Sequence, residues 1–221
     1  MAIISYSALD QILCDAEFAF RYAEENYALL RNRKPCFTLY GPETIGIGAA
    51  NPSHLTKDAD RYLQQKTRRK NFTTYEFDCN FRLLCNKHIE NKHLVESIYY
   101  FFELNGIIYA RSFLGESSHP YTRTIDCIKF IDDRPVFYAQ ASPSMLYIEL
   151  YDLLEEGQTN RFSVTSIHYF PTRAYSEEGI PLSKHSPIGS KSSPTSMCCF
   201  EKQMPMLDFS DYFMGNYKPN I

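Results

Sequence analysis

The sequence predicts an α+β protein with a helical N-terminal third followed by a mostly antiparallel sheet. Three observations carry that expectation. Apolar residues recur at helical spacing from Ser7 to about Leu30. After Gly106 the chain becomes β-branched and aromatic, in runs such as IIYARSFL (107–114), IDCIKFI (125–131) and RFSVTSIHYF (161–170). Between the second run and Val136–Tyr138 stands Asp132-Asp133-Arg134-Pro135, a composition that turns a chain back on itself.

Each element has its own reason. In the first helix Leu9, Ile12, Leu13, Ala16, Phe20, Ala23, Tyr27 and Leu30 trace one face, and Ser7 with Asp10 resembles a capping box. That face reads as core. Cys36–Tyr40 suits a short strand, and the glycine-bearing stretch after it (41–53) lacks the Gly-Lys-Ser/Thr ending of a phosphate loop. A second helix is expected from Leu55 to about Lys66, ending in the cationic KTRRK, Lys66–Lys70. Phe72–Leu84 reads as extended. Asn91–Leu104 is expected to be a helix, with Leu94, Ile98 and Phe101 on one side and Gly106 as its stop. A polar Ser/Pro-rich loop spans roughly 171–196, MCCF reads as a last strand, and the tail beyond Phe200 as irregular.

Composition bounds the function. At 221 residues, with 44% apolar and 22% charged residues, the chain has the make-up of a globular protein with one ordinary core. A net charge of −3 offers no general attraction for nucleic acid or an anionic membrane. Seven cysteines without zinc spacing suit reduced thiols in a cytosol better than a disulfide framework. The N-terminus lacks the regions of a signal peptide, and no apolar run reaches bilayer length. The expectation is a soluble cytoplasmic protein, with no metal: the six histidines show no ligand spacing.

The most informative segment is RPVFYAQASPSMLYIELYDLLEE, Arg134–Glu156. It reads as a short strand ending at Tyr138, then a helix started by Ser142-Pro143 and stopped by Gly157. Leu146, Tyr147, Leu150 and Leu154 fall at helical spacing, with Glu149 among them. On an ordinary amphipathic helix such a glutamate faces water.

The order Pro135, Tyr138, Ala139, Ala141, Ser144, Glu149 resembles the central motif of RES-domain proteins. Ile107-Ile108-Tyr109-Ala110-Arg111 is similar to that family's first strand, and Ile188–Ser193 with Cys199-Phe200 follows its closing motif without the Tyr-Pro. The likeness covers about residues 107–200. It implies an ADP-ribosyltransferase-like fold and an enzyme that cleaves the nicotinamide–ribose bond of NAD, toxin-like and held in check by an antitoxin protein. By the same resemblance Glu149 is catalytic, Arg111 and Arg123 bind the diphosphate, Tyr138 stacks on nicotinamide, and Ser192 or Ser193 holds its amide. Arg134 is the second candidate for the place given to Arg123.

The chemistry suits those residue types. Arginine presents a planar fork of donors to phosphate, and tyrosine offers a π face to a cationic ring. Cleavage builds an oxocarbenium-like sugar that a fixed carboxylate stabilises. The attacking group, water or an acceptor, stays open. The chain is expected to divide into a helical part at 1–105, a catalytic region at 106–200 and a tail at 201–221, within one compact domain. The competing class is a non-enzymatic interaction protein built on the same α+β core.

Overall fold

Residues 4, 6–41, 67–80, 82–131, 134–142, 145–153, 161–169, 174–175, 181–182 and 196–203 are described by a computed structural model. Two helices open the chain, α1 (Tyr6–Glu25) and α2 (Tyr27–Arg31). The strands follow as β1 (Phe37–Gly41), β2 (Phe72–Phe77), β3 (Leu83–Glu90), β4 (Leu94–Leu104), β5 (Ile107–Leu114) and β6 (Pro120–Ile131). They continue as β7 (Arg134–Ser142), β8 (Met145–Leu153), β9 (Arg161–Tyr169), β10 (Ala174–Tyr175), β11 (Pro181–Leu182) and β12 (Ser196–Gln203). Strands β1 to β9 pair in strict sequence order, β12 joins β9, and every pair is antiparallel. Strands β10 and β11 form a separate small pair. The α+β expectation therefore holds at the level of a large antiparallel sheet with two helices.

The first helix is legible in its residues. Leu9, Leu13, Ala16, Ala19 and Ala23 are buried, and Ile12 and Phe20 pack beside them. This stripe rests on β5, β6 and β7. The predicted single run to Leu30 is divided at Asn26, whose side chain donates to the Tyr22 carbonyl at 2.9 Å. On the sheet, Tyr100 and Phe102 of β4, Tyr109 and Phe113 of β5, Ile125 and Cys127 of β6 join the helix in one core. Phe137, Ala139 and Ala141 of β7 and Leu146, Ile148 and Leu150 of β8 continue it. The odd residues of β7 and the even residues of β8 thus face α1, and their neighbours face the other way.

Two arginines fasten the helices to the sheet. Arg33, just beyond α2, donates to the carbonyls of Leu30 (3.2 Å), Phe101 (2.7 Å) and Leu84 (2.8 Å). Arg111 of β5 is fully buried, donates to the carbonyls of Thr122 (2.5 Å) and Thr124 (3.0 Å), and meets Glu24 of α1 at 3.1 Å. Its guanidinium lies 3.9 Å over the Phe20 ring.

Several expectations are corrected. Residues 94–104 form strand β4, not a helix. Asn105 and Gly106 both have positive φ (52° and 71°), the geometry of a two-residue hairpin turn into β5. Because Phe101 and Phe102 are both buried, the strand's two faces read as one apolar run that helical spacing also fits. Residues 145–153 form strand β8, so the predicted helix carrying Glu149 does not exist. Ser142, half of the expected helix cap, is the last residue of β7 and pairs with Met145 of β8. Among the described residues of 1–105, helix is confined to α1 and α2, and β1–β4 belong to the same sheet as β5–β9, so this stretch is not a separate helical part.

The cysteines are corrected as well. Cys36 and Cys79 are joined by a disulfide. Phe37 pairs with Phe77, so two cysteines 43 residues apart in sequence meet at the end of the β1–β2 ladder. Cys14 is free and exposed, whereas Cys85 and Cys127 are free and buried. Among the described residues no helix is long and apolar enough to cross a membrane. The predicted helix at 55–66 and the glycine-bearing loop from residue 42 lie outside the described residues, as does most of the Ser/Pro-rich loop.

Candidate functional site

Strict alternation along β6–β9 places a second set of side chains on the face away from α1. Register arranges them in two rows. Asp126 pairs with Gln140, Gln140 with Tyr147, and Tyr147 with His168. One step along, Ile128 pairs with Tyr138, Tyr138 with Glu149, and Glu149 with Ser166. Two carboxylates and two tyrosines are therefore gathered within three neighbouring strands, because directly opposed side chains lie about 4.5–5.5 Å apart at Cβ.

Hydrogen bonds knit the set together. The Tyr138 hydroxyl donates to Asp126 Oδ1 at 2.8 Å, and Gln140 Nε2 donates to the same oxygen at 3.0 Å. Glu149 accepts from the hydroxyls of Tyr147 and Tyr151, the latter at 2.6 Å. The Tyr138 and Tyr147 rings meet edge to face at 6.4 Å, and the Tyr147 ring lies 4.8 Å from that of His168. Asp126, Tyr138, Glu149 and Tyr151 are buried, while Gln140, Tyr147 and His168 are half-buried and form the accessible side of the cluster.

Burial sets the electrostatics. Loss of water pushes the Asp126 carboxyl above its ordinary range, against the opposing pull of the Tyr138 and Gln140 hydrogen bonds and the Arg111 charge. Burial, and then the nearby carboxylates, push the Tyr138 and Tyr151 hydroxyls up, so both remain donors. A carboxyl whose folded pKa is raised favours the native state when protonated. That contribution is complete below the unfolded pKa, about 3.9, and is lost as pH rises through the folded value. Stability should therefore gain from this group as pH falls from neutral toward the usual carboxylate range. Asp126→Asn should remove that gain. Denaturation midpoints of both proteins across pH check it, and identical slopes would contradict it.

The residues singled out by sequence fare differently. Tyr138 and Glu149 stand directly opposite one another. Arg111 points to the opposite face, where its two terminal nitrogens are engaged by Thr122, Thr124 and Glu24. Arg123 is exposed on β6, between the two carbonyls that Arg111 binds. Ser192 and Ser193 lie outside the described residues, and of Arg134 only the backbone is described. Asp126, Gln140, Tyr147 and Tyr151 were missed. The alternation Y-I-E-L-Y at 147–151 carries the signal for the last two: apolar residues at even positions, polar or aromatic ones at odd.

No protein family, curated protein or solved structure matches this chain in comparison.

Proposed function

We propose that this protein binds a small ligand bearing a cationic or proton-donating ring on the polar face of β6–β9. Asp126 and Glu149 would accept its charge or protons, and Tyr138 and Tyr147 would supply π faces. One observation carries this reading: two buried carboxylates sit among tyrosines on a single face, with Gln140, Tyr147 and His168 on its accessible side. Such a network is weak as a source of stability, since buried charge is costly and apolar residues pack there as well or better. Aromatic rings beside carboxylates are the usual means of holding a cation. Calorimetric titration with free nicotinamide, its cationic riboside and NAD tests the class. Saturable binding of the cationic forms, weakened in Glu149→Gln and in Asp126→Asn, supports it. No binding of any of the three by folded protein would overturn it.

A second reading makes the protein an NAD-consuming enzyme of RES type. The direct opposition of Tyr138 and Glu149 favours it, because it sets a nicotinamide-stacking ring beside a carboxylate for the ribose cation. Either hydrolysis or ADP-ribosyl transfer fits, and a protein partner covering Tyr147 and His168 would act as an antitoxin. The ADP-ribosyltransferase-like fold belongs to this reading alone. Arg111 lies on the opposite face of the sheet, held against Glu24 and Phe20 of α1, and is not available to a diphosphate beside Tyr138 and Glu149, so of the original pair this reading keeps only Arg123. Purified protein should then destroy NAD, and Glu149→Gln should slow the reaction about 10²–10³-fold. Turnover that survives this substitution would remove Glu149 from the chemistry.

A further inference from the structure

We propose that His88, Glu90 and Glu96 form a binding site for a divalent transition-metal ion, zinc being the best chemical match. The site lies on β3 and β4, apart in the sheet order from the polar face of β6–β9. His88 pairs with Ser97 and Ile89 with Val95, so Glu96 is the extra residue of a β-bulge. A bulge turns a side chain out of the regular alternation, and here it brings Glu96 to His88. One ligand atom from each of the three residues lies within 4.8 Å of the other two.

Three details favour a metal over a plain ion pair. His88 Nε2 lies 3.4 Å from Glu96 Oε2. That is long for a charge-assisted hydrogen bond, typically about 2.7–2.9 Å. For this pair it is close to the roughly 3.3–3.4 Å edge of a tetrahedron with zinc–ligand bonds of about 2.0–2.1 Å, and the Glu90 oxygen lies within 4.8 Å of both, near enough to close on an ion. His88 Nδ1 is buried with no hydrogen-bond partner among the described residues. With the ring proton on Nδ1, Nε2, the nitrogen that faces Glu96, keeps its lone pair for a metal. Finally, the Tyr121 hydroxyl donates to Glu96 Oε1 at 3.1 Å, fixing the carboxylate with its other oxygen toward His88. An outer hydrogen bond of this kind orients a metal ligand. Imidazole with two carboxylates suits zinc better than calcium or magnesium, which take oxygen alone.

Metal-free full-length protein titrated with Zn²⁺ by calorimetry, and with Co²⁺ by visible absorption, tests the site. One ion per chain and the intense bands of four-coordinate cobalt are expected. His88→Ala and Glu96→Gln should each weaken zinc binding at least about ten-fold, and Tyr121→Phe by less. Glu103→Gln, an exposed carboxylate on the same strand, should change nothing. The wild-type cobalt spectrum reads the site even where a variant folds poorly. No saturable binding by wild type, or binding that survives both His88→Ala and Glu96→Gln, would overturn the proposal and leave a plain His88–Glu96 contact.

Discussion

Replacing Arg111 with alanine should lower stability by about 3–5 kcal/mol, the range for breaking a buried, hydrogen-bonded charge. The substitution leaves the carbonyls of Thr122 and Thr124 without their donor and opens a cavity under Phe20. Glu24→Gln should cost only about 1 kcal/mol, because the Glu24 side chain is 40% exposed and water replaces much of the lost contact. Chemical denaturation of the two single variants and the double variant measures the coupling. A loss for Arg111→Ala no larger than that for Glu24→Gln would contradict the structural role. The same experiment bears on function. An arginine that holds α1 to the sheet is not free to hold a diphosphate, whereas a ligand-binding arginine should be nearly neutral for folding.

Loss of the Cys36–Cys79 disulfide should have an effect of similar size. The bond closes a loop with a sequence separation of 43 residues. By the chain-entropy relation such a cross-link contributes about 4 kcal/mol, chiefly by restricting the unfolded chain. Cys36→Ser with Cys79→Ser should therefore lower the denaturation midpoint, and reductant should do the same to wild type. The loss should fall on β1 first, since β2 is its sheet neighbour and the disulfide anchors their common end. Hydrogen exchange resolved by strand reads this directly. Unchanged protection of Phe37–Gly41 in the double variant would contradict it.

Much of the fold was legible, and the failures share a cause. The helix face of Leu9, Leu13, Ala16 and Ala23 was readable because one side alone is buried. Strands β5, β6 and β9 were readable because β-branched and aromatic residues concentrate in them. The errors at β4 and β8 come from a coincidence of periods. Residues i and i+4 share a face in a helix and in a strand alike, so Leu146 and Leu150 fit both. Asn105-Gly106 favours a hairpin turn, and reading it as a helix stop cost the first of those strands.

The candidate site was half legible. Tyr138 and Glu149 were both singled out, and their opposition follows from pairing between strands rather than from a strand followed by a helix. Asp126 was hidden because the run 125–131 reads as apolar core, although strand alternation alone turns its second residue away from Ile125 and Cys127. Arg111 was assigned a ligand because Ile107–Arg111 resembles the first strand of RES domains. Its true partners, Glu24 and the carbonyls of Thr122 and Thr124, are set by tertiary packing that spacing does not encode. The Cys36–Cys79 pair was hidden for the same reason.

The central claim is that the polar face of β6–β9 is a binding site. The most direct measurement is an NMR titration of protein labelled at its tyrosine rings with NAD and with nicotinamide riboside. The account predicts saturable shifts of the Tyr138, Tyr147 and Tyr151 rings, absent in Glu149→Gln, while Tyr109 on the opposite face stays unmoved. Rings of this cluster that remain unshifted at saturating ligand, or shifts that persist unchanged without the Glu149 carboxylate, would contradict it.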